Sequence, residues 1–347
     1  MLLAGLAVAW PVQAESSLGY YWQSARGHLS VWWSARSVRD WVEDPATAPT
    51  LSERLRLAQR MRRFASEVLG LPDNGSFTRY AALDRPFVLW NVQAAPELSL
   101  DPVRWCFPFA GCVAYRGFFS RERADTFAAA LRAQGLDVQV SGVPAYSTLG
   151  WFDDLLLSSF LHYPEPELAQ VIFHELAHQV VYLPGDTAFN ESFATAVELI
   201  GVQRWLEASG AEPATVRAWL ARRSHREHFV ALLAEASRAL RAAYAGSDSD
   251  DMKRAAKIRI LAELRAQAAQ HKAANPGFSV YDRWFAQELG NAHLMAVGLY
   301  HESVPAFMAL FREQGEDLPR FFEAVRGLAA LPSAERVSRM TTLSGLR

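Results

Sequence analysis

Residues 172–182 read Ile-Phe-His-Glu-Leu-Ala-His-Gln-Val-Val-Tyr, and the two histidines in this stretch, His174 and His178, are four positions apart. Residues four apart lie on one face of an α-helix, one turn from each other. The two imidazoles can therefore converge on one metal ion with tetrahedral geometry. Glu175, beside the first histidine, can reach a water molecule at that ion, which is the HExxH pattern of zinc peptidases. The alternative interpretation is two core histidines with a solvated glutamate.

The residues around this pattern predict a buried helix that begins after Pro164. Apolar side chains cover its other faces: Leu168, Val171, Ile172, Leu176 and Val180. A Pro-Gly-Asp turn at 184–186 then separates it from a second helix that begins at Thr187. We expect the two helices to be antiparallel neighbours.

A catalytic zinc site has three protein ligands and one open position, so a third ligand must come from elsewhere in the chain. The turn brings the early residues of the second helix back over the first helix, which makes Glu191 the natural candidate. Glu198, seven positions on, is either the ligand instead or the hydrogen-bond partner that orients a histidine. We expect Asn190, beside Glu191, to support the metal ligands without binding the metal itself, as Glu198 does in the second of these roles.

The composition of the 347-residue chain excludes several classes of protein. Half of the residues are hydrophobic, and 35 Lys and Arg balance 37 Asp and Glu for a formal net charge of -2. A chain of this kind can bury a large core and is not disordered. The charge balance argues against a nucleic-acid partner, which needs a basic surface. No segment reaches the ~20 apolar residues of a transmembrane helix.

The N-terminal residues favour export of the protein over a cytosolic location. Residues 1–10 are all apolar or glycine, and the residues at 12–14, Val-Gln-Ala, suit a signal peptidase that cleaves after Ala14. No Lys or Arg precedes the apolar run, so a buried N-terminal helix is the alternative. A periplasmic or otherwise exported protein would join the close pair Cys106 and Cys112 in one local disulfide, whereas in the cytosol they would be two buried thiols.

Residues 18–33 form an aromatic segment directly after this cleavage point, followed by Trp41. Together with Arg26, Arg36 and Arg39, the segment can lie on a membrane surface. The alternative is a helix that packs its Trp and Leu side chains into the core, which we favour because aromatic residues are dominant core material.

The rest of the chain predicts an α+β fold. Before Pro164 the patterns indicate a mixture of elements: helices over 50–70 and 121–134, strands over 86–92, 112–119 and 136–143, and an extended segment over 144–152. After Pro164 helical patterns follow one another, with a solvated acidic loop at 247–251. We expect a signal peptide at 1–14 and one domain over 15–347, mixed α/β to about 163 and helical from about 164.

The motif His-Glu-Leu-Ala-His, followed by Asn-Glu-Ser-Phe-Ala at 190–194, resembles the gluzincin clan of metallopeptidases. More closely, the chain resembles a bacterial family of predicted zinc-dependent aminopeptidases over nearly its whole mature length. The matching segments are as follows: SLGYYWQ at 17–23, WNVQAAPELSL at 90–100, WCFPFAGCVAYRGFFS at 105–120, GVPAYSTLGWFDD at 142–154, IFHELAHQVVY at 172–182 and GDTAFNESFATAVE at 185–198.

The resemblance implies a zincin-like fold and a peptide or protein substrate. It implies one Zn²⁺ per chain, held by His174, His178 and Glu191, and a water attack on the scissile carbonyl with Glu175 as general base. Clan members stabilise the oxyanion with a Tyr or His from a later helix. Tyr300 and His301 are the candidates for that role, with Tyr146 and Tyr115 as rivals.

In gluzincins an edge strand shortly before the HExxH helix binds the substrate backbone as an added β-strand. The resemblance places residues 145–151 in that position, and the candidate substrate contacts are Ala145, Tyr146, Ser147 and Trp151. An ordinary edge strand capped by a turn is the alternative.

Two other functions remain open from the sequence. One is an endopeptidase of the same chemistry, because an aminopeptidase needs an anion for the substrate's α-ammonium, and Glu97, Asp153 and Asp154 are no more than candidates for it. The other is a periplasmic zinc-binding protein without turnover. The intact Glu175 argues against the second, since metal storage needs no general base.

Overall fold

All strands of the chain lie in its first half, among the residues that the computed structural model describes: 17–107, 111–146, 152–301 and 303–345. At positions 17, 18, 21, 25 and 297–301 only the backbone is described. The strands are β1 Arg36–Ser37, β2 Arg79–Ala81, β3 Leu89–Pro96, β4 Trp105–Phe107, β5 Gly111–Val113, β6 Arg116–Phe118, β7 Leu136–Val143 and β8 Leu156–Leu157.

Helices surround these strands and make up the whole second half of the described chain. They are α1 Ser17–Ser34, α2 Val38–Glu43, α3 Pro49–Glu67, α4 Arg121–Arg132, α5 Ser158–Leu161, α6 Glu165–Ala177, α7 Thr187–Ala208, α8 Pro213–Ala245, α9 Asp250–Ala274, a 3-10 helix Pro276–Tyr281, α10 Asp282–Phe285, α11 Asn291–His301, α12 Val304–Glu313, α13 Leu318–Ala330 and α14 Ser333–Leu343. This order of elements confirms the predicted α+β class.

The two longest strands, β3 and β7, form an antiparallel sheet with the short strand β6, in the order β6-β3-β7 with β3 in the centre. Side chains of a strand alternate between the two faces. One face packs against α4 through an apolar cluster that includes Trp90, Val92, Phe118 and Leu131. The other face carries Asn91 and, from the same strand, Gln93, and it lines a cavity described below.

The remaining strands are short. They form a sheet in the order β1-β2-β8 and a hairpin of β4 and β5. Cys106 and Cys112 stand directly opposite each other in that hairpin and are joined by a disulfide, as the sequence predicted.

The predicted helices 50–70 and 121–134 and the strand 136–143 are confirmed within three residues, the predicted strand 86–92 is displaced to Leu89–Pro96, and one predicted strand is wrong. The segment 112–119 is not a single strand, because β5 pairs with β4 whereas β6 pairs with β3. The chain therefore changes sheets between Val113 and Arg116, a choice of partner that no local pattern encodes. The predicted extended segment 144–152 lies largely outside the described residues, since 147–151 are not described.

Two further expectations about helices need correction. The helix that carries the histidines ends at Ala177 with His178 as its C-cap, so Val180 lies beyond it. The predicted acidic loop at 247–251 is shorter than expected, because α9 begins at Asp250 and both Asp250 and Asp251 fall in its first turn, capped by Ser249. Carboxylates are favourable there because of the helix dipole.

The aromatic segment forms α1, as predicted, but its side chains are only partly in the core. Val31 is buried, whereas Trp22 and Trp33 are 72% and 70% exposed and Leu29 is 37% exposed. These three residues lie at helical spacing on one stripe, so the expectation that the Trp side chains pack inside is wrong for this face. No helix of the described residues is long and apolar enough to cross a membrane.

The close packing of α6 against α7 gives a first prediction. A Cβ atom added at Gly201 of α7 would lie 2.7 Å from Cδ2 of Phe173, the residue before His174, and 2.9 Å from Cδ1 of Leu69. We expect Gly201→Ala to lower the free energy of unfolding by about 1–3 kcal/mol through overpacking, as measured by chemical denaturation.

The control is Gly327→Ala in α13, where a Cβ atom meets no other atom within 4 Å. This change should leave stability unaltered or raise it by up to about 1 kcal/mol, because alanine is the better helix former. Equal effects of the two substitutions would contradict the packing described for α6 and α7.

Candidate metal centre

Three side chains from α6 and α7 meet at one point of the structure. They are His174, His178 and Glu191, and one ligand atom of each lies within 4.8 Å of the others. Nε2 of His174 is 3.2 Å and Nε2 of His178 is 3.7 Å from the same oxygen, Oε2 of Glu191. All three side chains are largely buried. This group, which the sequence predicted, could hold a metal ion.

The turn between the two helices sets their register. The Asp186 side chain caps α7 by accepting a hydrogen bond from the backbone N–H of Phe189 at 3.1 Å. Asn190 closes the turn, because its amide donates to the carbonyl of Leu183 at 2.8 Å and accepts from the N–H of the same residue at 2.7 Å. Asn190 therefore acts on the backbone that positions Glu191.

Glu198 and Glu191 lie at different nitrogens of the His174 ring. Its Oε2 is 2.8 Å from Nδ1 of His174, and its Oε1 accepts a hydrogen bond from Gln170 at 2.8 Å. A carboxylate at one ring nitrogen fixes the tautomer and orientation of a histidine whose other nitrogen faces a ligand. The corresponding atom of the second histidine, Nδ1 of His178, is buried and has no hydrogen-bond partner among the described residues.

The electrostatics of the group reflect its burial and its two carboxylates. Burial acts to lower the pKa of His174, but the hydrogen bonds to Glu191 and Glu198 outweigh it and hold this pKa well above its ordinary value. Burial acts to raise the pKa of Glu191, but the charges and hydrogen bonds of the two histidines hold it far below the usual range. The centre therefore concentrates negative charge where a cation can bind.

Glu175 points into the same region without joining the group. Burial raises its pKa to about 7, while the neighbouring His174 and His178 act in the opposite direction. Its side chain lines the cavity next to the histidines. A carboxyl group placed in this way can exchange a proton with a molecule bound in the cavity.

A cavity of about 880 Å³ opens from the metal group. A peptide of a few residues fits a cavity of this size. Its walls include residues from several parts of the chain: Tyr20, Ser24 and His28 of α1; Leu89, Asn91, Gln93, Gly117, Gln139 and Ser141 of the sheet; Ala145 and Tyr146 after β7; Gln170 and Val171 of α6; Arg226, Phe229, Val230 and Tyr281 of α8 and the 3-10 helix; and Ala296 of α11.

Two of the four predicted substrate contacts lie at the cavity, and the other two are not described. Ala145 and Tyr146 line the cavity, and the Tyr146 hydroxyl lies 2.6 Å from Nδ1 of His28. Ser147 and Trp151 lie outside the described residues. The sequence analysis did not predict His28 at this site, because helical patterning alone does not say which face of α1 meets the cavity.

Among the candidate oxyanion donors, Tyr115 and Tyr146 line the cavity that opens from the metal group. Burial raises the pKa of Tyr115, and the negative charge of Glu191 adds to the effect. Tyr182, which the sequence analysis missed, lines the same part of the cavity. The side chains of Tyr300 and His301 lie outside the described part of the chain.

None of the three candidate anions for a substrate ammonium lines the described cavity. Both carboxylate oxygens of Glu97 accept hydrogen bonds from Arg254, each at 3.0 Å. Asp154 is buried and accepts a hydrogen bond from Gln179 at 2.8 Å, and Asp153 is exposed. Of the described residues, the carboxylates that line the cavity are those of Glu175 and of Glu191 and Glu198 in the centre itself.

One comparison with known proteins identifies the chain's relatives. The model of a family described as "putative aminopeptidase" matches residues 19–340, which include every residue of the metal group and of the described cavity. No curated protein and no solved structure matches the chain. Because the match covers most of the 347 residues, the chain belongs to the family described as "putative aminopeptidase", in agreement with the sequence resemblance.

Proposed function

We propose that the chain is a zinc-dependent peptidase with a gluzincin-type site and a zincin-like fold, and that it acts as an aminopeptidase. The observation that carries the proposal is the convergence of His174, His178 and Glu191 within 4.8 Å. Glu175 lies beside that group in a cavity large enough for a peptide. Membership of the aminopeptidase family supports the same reaction.

The donor set fits one Zn²⁺ per chain. Two imidazole nitrogens and one carboxylate oxygen are a ligand set that catalytic zinc sites use, and such sites keep one further position for water or substrate. Glu198, which lies at Nδ1 of His174, is the kind of hydrogen-bond partner that orients a ligand histidine in such sites. When bound, the ion would lower the pKa of a water molecule to ~7 and polarise a carbonyl group.

The side chains of the chain then have separate tasks in peptide hydrolysis. Glu175 takes a proton from the attacking water and passes it to the leaving amine. We propose Tyr115, which lines the cavity together with Glu191, as the donor of a hydrogen bond to the developing oxyanion. Tyr300 and His301 remain proposals for the same role.

The substrate backbone has a place to bind along β7. Within the described residues this strand pairs with β3 alone, and a strand at the edge of a sheet can accept an added strand. The edge continues into Ala145 and Tyr146, which line the cavity. We propose that a peptide lies along this edge, with Ser147 and Trp151 as further contacts.

An endopeptidase is the second candidate, and one observation favours it. Of the described residues, the carboxylates that line the cavity are those of Glu175, Glu191 and Glu198, each of which already has a part in the proposed metal site or its chemistry, so none is left as a separate anion for a substrate ammonium. A zinc-binding protein without turnover is the third candidate, and this function would leave the cavity beside Glu175 without a role.

For each of these three functions we propose the same domain organisation, which is one domain over 15–347, mixed α/β to about 163 and helical from about 164.

The metal assignment can be tested by replacing ligands. We expect His174→Ala, His178→Ala and Glu191→Ala each to lose stoichiometric zinc, because two remaining ligands hold the ion weakly. Glu198→Ala should weaken zinc binding by about 10- to 100-fold, as expected for the loss of an orienting partner. Zinc content after dialysis against a graded chelator measures both effects.

The matched control is His162→Ala, which removes a histidine that lies outside the metal group. It should keep its zinc. Stronger zinc loss in Glu198→Ala than in Glu191→Ala would exchange the roles of these two residues, and full zinc in His174→Ala would show that the site is elsewhere.

Glu175→Gln separates catalysis from metal binding. The change keeps the size of the side chain but removes the carboxylate that accepts the proton, so hydrolysis should fall by about 10²- to 10⁴-fold. Zinc content and thermal stability should stay near wild type, because Glu175 is not a ligand. The measurement is the release of a reporter from free and N-terminally blocked peptides.

Preference for the free N-terminus would support the aminopeptidase, and equal or better cleavage of blocked peptides would support the endopeptidase. Undiminished activity of Glu175→Gln would contradict the assigned base. A zinc-loaded wild type that cleaves no peptide in a broad library would leave the non-catalytic protein as the better account.

We also propose that the chain is exported, with the segment 1–14 removed and the Cys106–Cys112 disulfide formed outside the cytoplasm. The exposed stripe of Trp22, Leu29 and Trp33 supports contact with a membrane surface. Fractionation of producing cells should give a mature chain that begins at Glu15, and part of it should sediment with membranes. Trp22→Ser together with Trp33→Ser should release that part, and recovery of full-length chain in the cytosol would contradict export.

A further inference from the structure

Gln179 directly follows His178, one of the proposed zinc ligands, and both ends of its amide make hydrogen bonds. Its Oε1 accepts a hydrogen bond from Nδ2 of Asn74 at 2.7 Å. Its Nε2 donates to Oγ of Ser76 at 3.1 Å and to Oδ2 of Asp154 at 2.8 Å. We call Gln179 and these three partners the glutamine clamp.

The three partners of Gln179 are themselves fixed in the fold. Ser76 and Asp154 are 1% and 3% exposed, and Oγ of Ser76 also accepts a hydrogen bond from the backbone N–H of Asp154 at 3.2 Å. Oδ1 of Asn74 accepts from the N–H of Ser76 at 2.9 Å, and Arg62 of α3 donates to the carbonyl of Ser76 at 2.8 Å. The glutamine clamp therefore ties the chain just after α6 to α3 and to the segment before β8.

The two histidines of the metal group differ in what orients them. Nδ1 of His174 lies 2.8 Å from Oε2 of Glu198, which fixes the orientation of the ring. Nδ1 of His178 is buried and has no hydrogen-bond partner among the described residues. The position of the His178 ring therefore depends more on the backbone that carries it.

That backbone lies at the end of a helix. His178 is the C-cap of α6, and the next two N–H groups, of Gln179 and Val180, donate to carbonyls three residues back at 3.1 and 2.9 Å. Helix ends fray, and their last turns are held less firmly than the interior. The side-chain hydrogen bonds of Gln179 supply a tertiary anchor one residue from His178.

We propose that Gln179 is a positioning residue, which through the glutamine clamp fixes the backbone of His178 and thereby sets the zinc affinity of the metal group. The inference rests on the zinc site proposed above. Tetrahedral zinc sites need their ligands in a defined geometry, so a mobile ligand weakens the site. An amide suits position 179 because it donates to Asp154 and accepts from Asn74 at the same time.

Gln179→Met tests the clamp, since it keeps the length of the side chain but removes its hydrogen bonds. We expect zinc affinity, measured by competition with a chelator, to fall by about 10- to 100-fold, as for the loss of a group that orients a ligand. In the zinc-free protein, hydrogen exchange of the backbone N–H groups of residues 178–180 should become faster by about 10-fold or more, because the helix end opens more often.

An exchange of donor and acceptor ties the effect to one contact. Gln179→Glu alone places a second carboxylate against that of Asp154 and should weaken zinc binding at least as much as Gln179→Met. Gln179→Glu combined with Asp154→Asn reverses the direction of the hydrogen bond between the two side chains, and the Ser76 hydroxyl can rotate to donate. This combination should recover most of the wild-type zinc affinity.

Two controls separate positioning from general damage. Gln203→Met makes the same chemical change on the exposed face of α7, where the side chain donates to Glu207 at 3.1 Å, and it should keep the wild-type zinc affinity. Leu264→Ala removes a buried side chain from α9 and should lower the thermal midpoint. It should leave zinc affinity unchanged at a temperature where the chain is folded.

The proposal requires both the loss of zinc affinity and the faster exchange in Gln179→Met, and either one without the other would overturn it. A loss of affinity that the combination of Gln179→Glu with Asp154→Asn does not recover would overturn it as well. A wild type that binds no zinc would overturn the proposed function instead. The exchange measured on the zinc-free chains would then decide alone whether the glutamine clamp fixes His178.

Discussion

The structure around the proposed site depends on the contact between α6 and α7. The two antiparallel helices place Glu191 at the Nε2 atoms of both histidines and Glu198 at Nδ1 of His174. Holding two buried carboxylates around one imidazole is costly unless a positive charge lies between them. The apolar packing that includes Phe173 and Gly201, together with the turn closed by Asn190, keeps these groups in place.

The helical part of this arrangement could be predicted from the sequence because its rules are local. A spacing of four places His174 and His178 on one face of any helix, and a short turn returns Glu191 to that face. The end of the helix was less predictable. α6 stops at Ala177, and His178 is a C-cap whose Nδ1 has no described partner. Small changes at a helix end are not encoded by apolar periodicity.

The sheet was harder to predict because strand pairing depends on distant residues. Nothing within 112–119 indicates that β5 pairs with β4 while β6 pairs with β3. Alternation shows that Asn91 and Gln93 share a face, but both faces of β3 are buried, so the pattern does not tell which face meets a cavity. The three candidate anions were chosen by charge alone, and Glu97 lies instead in an ion pair with Arg254.

The two halves of the chain thus contribute different parts of one cavity, reactive groups from the helices and a polar wall from the sheet. The central claim is that the helical group holds zinc. Anomalous diffraction at the zinc absorption edge, from crystals of the zinc-loaded protein, tests it most directly. The account predicts one peak per chain at about 2.0–2.2 Å from Nε2 of His174, Nε2 of His178 and a carboxylate oxygen of Glu191, with Glu175 not coordinated. A peak at other residues, or coordination by Glu198 in place of Glu191, would contradict it.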